Sequence, residues 1–321
     1  MSRLFWLLAL AGGLAHADAP PAEPTDMLLR AAIAAREASY HGTYSYTRGD
    51  FSETTRVTHH GDPGGGVGHF ETLSGKPREI VRVGHDVTWY MPDSRVVRTE
   101  RQSYRRFFPE LIPPERVKTV AQFYEVSRSG SDRVAGLDCI NLLLTPKDSF
   151  RYRQSICVEP RSMLPLRAIT FNERQDRLEA FAFTSVEVPA RIEATSLRSR
   201  AGDVSTWTHE STAQNIDPAA SNWFFRELPA GFAVVSETQR GMPGRPAPVI
   251  HKVLSDGMVW VSVFIEPLSN APAMGRGLSQ QGGASTYSRP VGNHHVTVVG
   301  LVPVPTLVLI GGALTPRSPQ P

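Results

Sequence analysis

Between Tyr40 and Val188 apolar and polar residues alternate in short runs separated by turn residues, and a chain written this way has to become a large antiparallel sheet. His41–Thr47 and Phe51–His59 alternate on either side of the turn Arg48-Gly49-Asp50. Further strands are expected at Gly68–Leu73, Arg78–Val83, Asp86–Met91 and Arg95–Arg98. After short helical stretches at Tyr104–Leu111 and Pro114–Phe123 the pattern resumes over residues 123–128, 131–134, 137–144, 150–158, 165–172, 177–188 and 192–197. A one-sided sheet of that length must cover its apolar face. Two covers are available: a helix through Met27, Leu28, Ile33, Ala34 and Ala38, capped by Thr25 or Asp26, and the segment Phe107–Phe123. The expected fold class is α+β and mostly β: an antiparallel half-barrel sheet over helices, leaving a hydrophobic cleft, plus a smaller β-rich C-terminal domain.

Length asks for that second domain, because a mature chain of about 300 residues exceeds what one core usually serves. The large domain is expected over residues 25–207 and a polar linker, with Asn215 and Pro218, over 208–221. The smaller domain follows over 222–321, with strands at Phe232–Thr238, Val249–Ser255, Met258–Glu266 and His295–Val299 and a hairpin turn at Asp256-Gly257. The Gly-, Ser- and Ala-rich stretch Asn270–Ser288 reads as a mobile loop. Val298–Leu314 is strongly apolar but is broken by Pro303, Pro305, Gly311 and Gly312. It reads as a buried strand followed by a core-packed helix or loop, with a tail anchor as the alternative.

The chain opens with Arg3, an apolar run from Leu4 to Leu14, and Ala15-His16-Ala17. These are the three parts of a signal peptide over residues 1–17, cleaved after Ala17; the run is well short of the roughly 20 residues that span a bilayer. Export places the mature protein in the periplasm, with residues 18–24 as a disordered leader. Cys139 and Cys157 are the two cysteines of the chain, equally far on either side of Asp148, where a hairpin is expected to turn. Residues directly opposed across two strands have Cα atoms roughly 4.5 to 5.5 Å apart, within the reach of a disulfide. In an oxidising compartment the pair is expected to be bonded, with two buried free thiols as the alternative.

Enzymatic signatures are missing from the text. The chain has no Gly-x-Ser-x-Gly, no His-Glu-x-x-His, no phosphate-binding glycine loop and no Cys-x-x-Cys. His59-His60 and His294-His295 are adjacent pairs, and neighbours on a strand point to opposite faces, so neither pair chelates a metal by itself. No cofactor is expected, and the protein reads as a binding protein and not as an enzyme. A net charge of +3 and a pI near 9.0 are only mildly basic, which suits an acidic protein partner or anionic lipid and, in an exported chain, argues against nucleic acid. A homo-oligomer is left open.

Several stretches, taken in order, carry a resemblance to one known family. They are Tyr40-His-Gly-Thr-Tyr44, Glu71-Thr-Leu-Ser-Gly75, Pro77-Arg-Glu-Ile-Val-Arg82, Asp132-Arg-Val-Ala-Gly136, Pro146-Lys-Asp-Ser-Phe-Arg-Tyr152, Leu164-Pro-Leu166 and Phe181-Ala-Phe-Thr184. In the second domain Leu228-Pro-Ala-Gly-Phe232, Ser255-Asp-Gly-Met-Val259 and Val296-Thr-Val-Val-Gly300 join them. Together these stretches resemble the MucB/RseB regulators of the envelope-stress sigma factor (sigma-E, or AlgU), and the resemblance implies a large domain similar to the lipoprotein carriers LolA and LolB. It also implies a partner, the periplasmic part of a membrane-spanning anti-sigma factor (RseA or MucA), which such regulators shield from a protease. It further implies a cleft that senses lipopolysaccharide or lipoprotein-derived lipid. The chain departs from the family pattern after Gly300, where Leu301-Val-Pro-Val-Pro305 opens the apolar stretch.

On this reading Trp89, Tyr90, Met91, Phe107, Phe108 and Phe123 are candidate cleft residues, with Arg98, Arg101, Arg105 and Arg106 as anion contacts at the rim. The same aromatics would serve as ordinary core and the same arginines as a solvated face. A periplasmic lipoprotein or lipid carrier is the competing function, although a carrier needs no second domain of this size.

Overall fold

The computed structural model describes residues 23–101, 107–211, 214–216, 221–241, 246–270, 275–281 and 284–317. The expected signal peptide lies outside them.

Helix α1, Pro24–Glu37, starts one residue before Thr25 and two before Asp26 and so takes in the last residue of the expected leader, since Pro24 occupies the first turn, where a missing N–H costs nothing. Eleven antiparallel strands follow, and their alternation is the pattern visible in the sequence. They are β1 (Tyr40–Arg48), β2 (Phe51–His60), β3 (Val67–Thr72), β4 (Glu79–Val83), β5 (Asp86–Met91), β6 (Val96–Arg101), β7 (Tyr124–Val134), β8 (Leu137–Pro146), β9 (Arg153–Val158), β10 (Pro165–Phe171) and β11 (Arg177–Glu187). Helix α2, Val117–Phe123, interrupts them. The stretch 192–197, expected as a strand, is coil ending in a short 3-10 turn over Ala194–Leu197.

Strand β12 (Thr208–Ser211) completes a twelve-stranded sheet of order β12-β6-β5-β4-β3-β2-β1-β11-β10-β9-β8-β7. Thus the meander's two halves meet where β1 pairs with β11. On the inner face Met27, Leu28 and Ala31 of α1 and Val117 and Val120 of α2 are buried against Leu142, Leu144 and Ile156. Each fully buried aliphatic side chain contributes roughly 1.5–3 kcal/mol. Tyr44, Val57, Phe70, Leu166 and Phe183 form a second cluster under the segment Phe107–Ile112.

Cys139 and Cys157 are disulfide-bonded, with Cα atoms 5.4 Å apart. The pairing differs from the expected one. Ile140 faces Val158 and Asn141 faces Cys157, so the bonded residues sit diagonally and not directly opposite. Strand twist brings one diagonal of a ladder close enough for a bond that a flat sheet would not make.

The smaller domain is a seven-stranded sheet of order β13-β15-β16-β17-β20-β19-β18: β13 (Gln214–Asn215), β15 (Ala233–Arg240), β16 (Val249–Ser255), β17 (Trp260–Pro267), β18 (Gly277–Gln281), β19 (Ala284–Val291) and β20 (His294–Gly300). Strands β14 (Trp223–Phe225) and β21 (Leu314–Pro316) pair separately. The β18–β19 hairpin corrects the mobile-loop reading of 270–288: its small polar residues carry no apolar alternation, yet β19 pairs with β20 along its length. The apolar tail is β20 followed by helix α3, Val304–Ala313, whose Leu307 and Ile310 are fully buried with Val261, Val263, Val296 and Val298. Arg289 donates to the carbonyl oxygens of Gly311, Gly312 and Leu314, satisfying acceptors that a helix end leaves orphaned. Among the described residues no helix is long and apolar enough to cross a membrane.

Residues 208–221, read as a linker, supply a strand to each sheet. Strand β12 lies parallel to β6, with Thr208 facing Val96, and β13 lies along β15.

Candidate functional site

A cavity of about 510 Å³ opens between the domains, within the range that holds one small ligand. Its floor is the inner face of the large sheet, where alternation puts Tyr44, Tyr46, Phe70, Trp89 and Phe181 side by side. Phe107 and Phe108 form one wall. Phe108 stacks on Phe181 with ring centroids 5.6 Å apart and packs against Tyr44 at 5.1 Å, while Phe107 lies 4.8 Å from Phe70. Met258, Val259, Trp260, Val299 and Leu301 of the smaller domain close the other side.

The wall segment Phe107–Ile112 is held by a buried ionic network. Glu110 pairs with Arg82 of β4 and with Arg36 of α1 at 3.7 Å. Arg82 also approaches His59 Nε2 at 3.5 Å, while His59 Nδ1 donates to the Ala38 carbonyl at 3.0 Å. Burial, reinforced by the Arg82 charge, holds His59 below its ordinary titration range and keeps it neutral. Burial likewise pushes the Tyr44 phenol up to about 12.

One end of the cavity is polar. Glu53 pairs with Arg78 at 2.8 Å, and the Arg78 guanidinium stands 5.8 Å from the centre of the Trp89 ring. Glu179 accepts from Tyr46 at 3.1 Å and Thr170 at 3.3 Å, and burial raises its carboxyl above the ordinary range. Arg48 lines the same end.

Of the candidate cleft residues, the structure brings Trp89, Phe107 and Phe108 together in the cavity. Met91 packs against the same core cluster, and Tyr90 points to the other face of β5. Phe123 lies instead at the joint between the domains. There the fully buried Arg151 donates to Asp256 at 2.6 Å, pairs with Asp148, and donates to the Ala230 carbonyl at 2.5 Å. Its guanidinium is stacked 4.6 Å from Phe123 and 4.9 Å from Phe232. Gly231, at φ +87°, sits so close that a Cβ there would lie 2.4 Å from the Phe123 ring. Thr306 of α3 adds a 2.8 Å hydrogen bond to the Phe150 carbonyl.

Arg98, opposite Trp89 on the same face of the sheet, does not line the cavity but donates to Glu210 of β12 at 2.8 and 2.6 Å. Arg101 ends β6, and Arg105 and Arg106 lie outside the described residues. Sequence reasoning missed Arg48, Glu53, Arg78 and Glu179; their only signal was being polar at inward positions of strands, which needs the face assignment first. Among the described residues no cluster of potential metal ligands occurs.

A family model for the MucB/RseB N-terminal domain matches residues 23–201, and one for the MucB/RseB C-terminal domain matches residues 217–315. The chain belongs to the MucB/RseB family. Among curated relatives, the sigma factor AlgU regulatory protein MucB of Pseudomonas aeruginosa is 29% identical over 327 residues, covering 97% of each chain. The sigma-E factor regulatory protein RseB of Escherichia coli K12 is 22% identical over 320 residues, covering 95% of this chain and 96% of the relative. Among solved structures, the MucA/MucB complex of P. aeruginosa matches with a TM-score of 0.73 at 26% identity, covering 92% of this chain and 100% of that one. A structure of MucB with MucA(peri) matches at 0.71 and 26%. MucB/RseB proteins are thus similar to this chain across both of its sheets.

Proposed function

We propose that this protein is an exported regulatory binding protein which holds the periplasmic part of a membrane-spanning anti-sigma factor, withholds it from regulated proteolysis and so restrains an envelope-stress sigma factor. The observation that carries the reading is the cavity walled by both domains, in a chain that matches MucB of the MucA/MucB complex over 92% of its length. A partner segment bound across two domains is hidden from a protease by mass action, and a ligand that favours another domain arrangement releases it.

The cavity suits an apolar ligand of the lipopolysaccharide or lipoprotein-lipid class, with Trp89, Phe107 and Phe108 as apolar contacts. Residues 25–207 and 222–321 act as the two bodies of this device. The relatives carry regulatory names, in keeping with a protein that binds and does not transform.

The test is a pull-down of the mature protein with the soluble periplasmic segment of its organism's anti-sigma factor, with and without lipopolysaccharide. Binding that the lipid weakens is the expected result. Absence of binding together with co-purified lipid would overturn the regulator in favour of a carrier.

A further inference from the structure

The chain between the two sheets is attached first to the outer face of the large sheet, opposite the cavity, and then along the free edge of β6. His69 of β3 is 4% exposed; its Nδ1 donates to the Ser196 carbonyl at 3.0 Å, and its Nε2 lies 3.0 Å from Glu79 of β4. Glu79 also accepts the backbone N–H of Arg200 at 2.8 Å, and Glu71 accepts from the Arg200 side chain at 3.1 Å. Further on, Thr208 N–H donates to the Arg95 carbonyl at 2.9 Å, β12 runs along β6, and Glu210 takes both Arg98 contacts.

These fastenings are polar. No residue from 191 to 210 is buried, so the segment contributes almost no apolar area to the fold. Segments of this kind open at a small fraction of the global unfolding free energy. The same strands serve both faces: Phe70 and Ile80 line the cavity, next in sequence to His69 and Glu79.

We propose that residues 194–211 form a releasable latch that sets how freely the smaller domain moves against the larger. With the latch closed, β12 and β13 are separated in sequence only by residues 212 and 213, a reach of at most about 11 Å. With it open, the tether runs from Glu193 to Gln214, a reach on the order of 70 Å, because Val188 and Ala190 stay fastened to the large domain. The Arg151 joint then has to close a tether about seven times longer, and closure probability falls as roughly the 3/2 power of length, so its closed population drops about 20-fold relative to the open one. Because the cavity takes one wall from each domain, opening the latch removes a wall. The inference concerns the domain arrangement and stands whether or not the cavity takes lipid.

The experiment is hydrogen exchange on the full mature chain, comparing native protein with Arg200→Pro, which deletes the N–H given to Glu79, and with Arg200→Pro/Glu210→Ala, which also frees Arg98. Both substitutions lie on the exposed segment and leave the sheet core intact, so unchanged protection in β1 and β16 certifies the fold. The expected result is lost protection over 194–211 together with a fall of about 20-fold in protection at 148–151 and 256–258. Faster exchange in 194–211 with an unchanged joint would reduce the segment to a passive cover. Unchanged exchange in 194–211 would show that these contacts do not hold it, and would overturn the latch equally.

Discussion

Replacing Arg151 by Met keeps most of the volume and removes the charge, leaving Asp256 at 1% exposure without its cation. Removing one partner of a buried ion pair typically costs 3–5 kcal/mol. Two terms adjust this. Asp256 keeps hydrogen bonds from the backbone N–H groups of Met258 at 2.8 Å and Val259 at 2.9 Å, which hold down the penalty. Loss of the guanidinium from between Phe123 and Phe232 adds about 0.5–1 kcal/mol for each ring. The expected destabilisation is about 4 kcal/mol. Because the residue joins the domains, urea unfolding followed by tryptophan fluorescence is expected to split into two transitions, Trp89 reporting on the large domain and Trp223 and Trp260 on the small one. Arg151→Met/Asp256→Asn, which removes both charges, is expected to recover at least half of the loss. A single transition with a loss below about 1 kcal/mol would refute the claim that this pair holds the domains together.

Reduction of Cys139–Cys157, which closes a loop across a sequence separation of 18, is expected to lower stability by about 3 kcal/mol, read as a shift in the urea midpoint; no shift would mean the hairpin register is held without the bond. Glu179, raised by burial, favours its protonated form in the folded state, so its penalty appears as pH rises above about 4.5. Glu179→Gln should therefore raise the melting temperature at pH 7 and lose that gain below pH 4.5, whereas a gain at acid pH only would reverse the assignment. His59 has the opposite sign: held neutral, it contributes stability above its ordinary value of 6.5, and this is lost as pH falls. His59→Gln is expected to flatten the fall in stability between pH 6.5 and 5, and an equally steep fall would place the acid sensitivity elsewhere.

The large sheet was legible because each strand from β1 to β11 carries its own alternation and its own turn residues, so no long-range information was needed to find it. Cleft residues on those strands were named without the face assignment: Trp89, Tyr90 and Met91 are consecutive, and of the three only Trp89 lines the cavity. Phe123 was misplaced for a different reason: it ends a helix whose neighbour across the joint, Gly231, comes more than a hundred residues later, and no local pattern announces such contacts. The β18–β19 hairpin was hidden because Ser, Gly and Gln mark a loop when seen alone and an exposed strand once β20 offers a partner. The register of the disulfide escaped for a similar reason, since twist decides which diagonal closes and twist is not written in the residue order. Arg98 was read as an anion contact because its partner Glu210 lies in a stretch that looked like linker.

Strand β12 has a consequence for anyone who cuts this protein apart. It covers the outer side of β6, whose far edge would otherwise present a row of unpaired N–H and C=O groups. A large domain truncated before Thr208 ends in an open strand, and an open strand is a template for another copy. Such a fragment is expected to form oligomers through β6 even though every residue of its own core is present, so the natural seam for separating the domains lies after Ser211 and not before it.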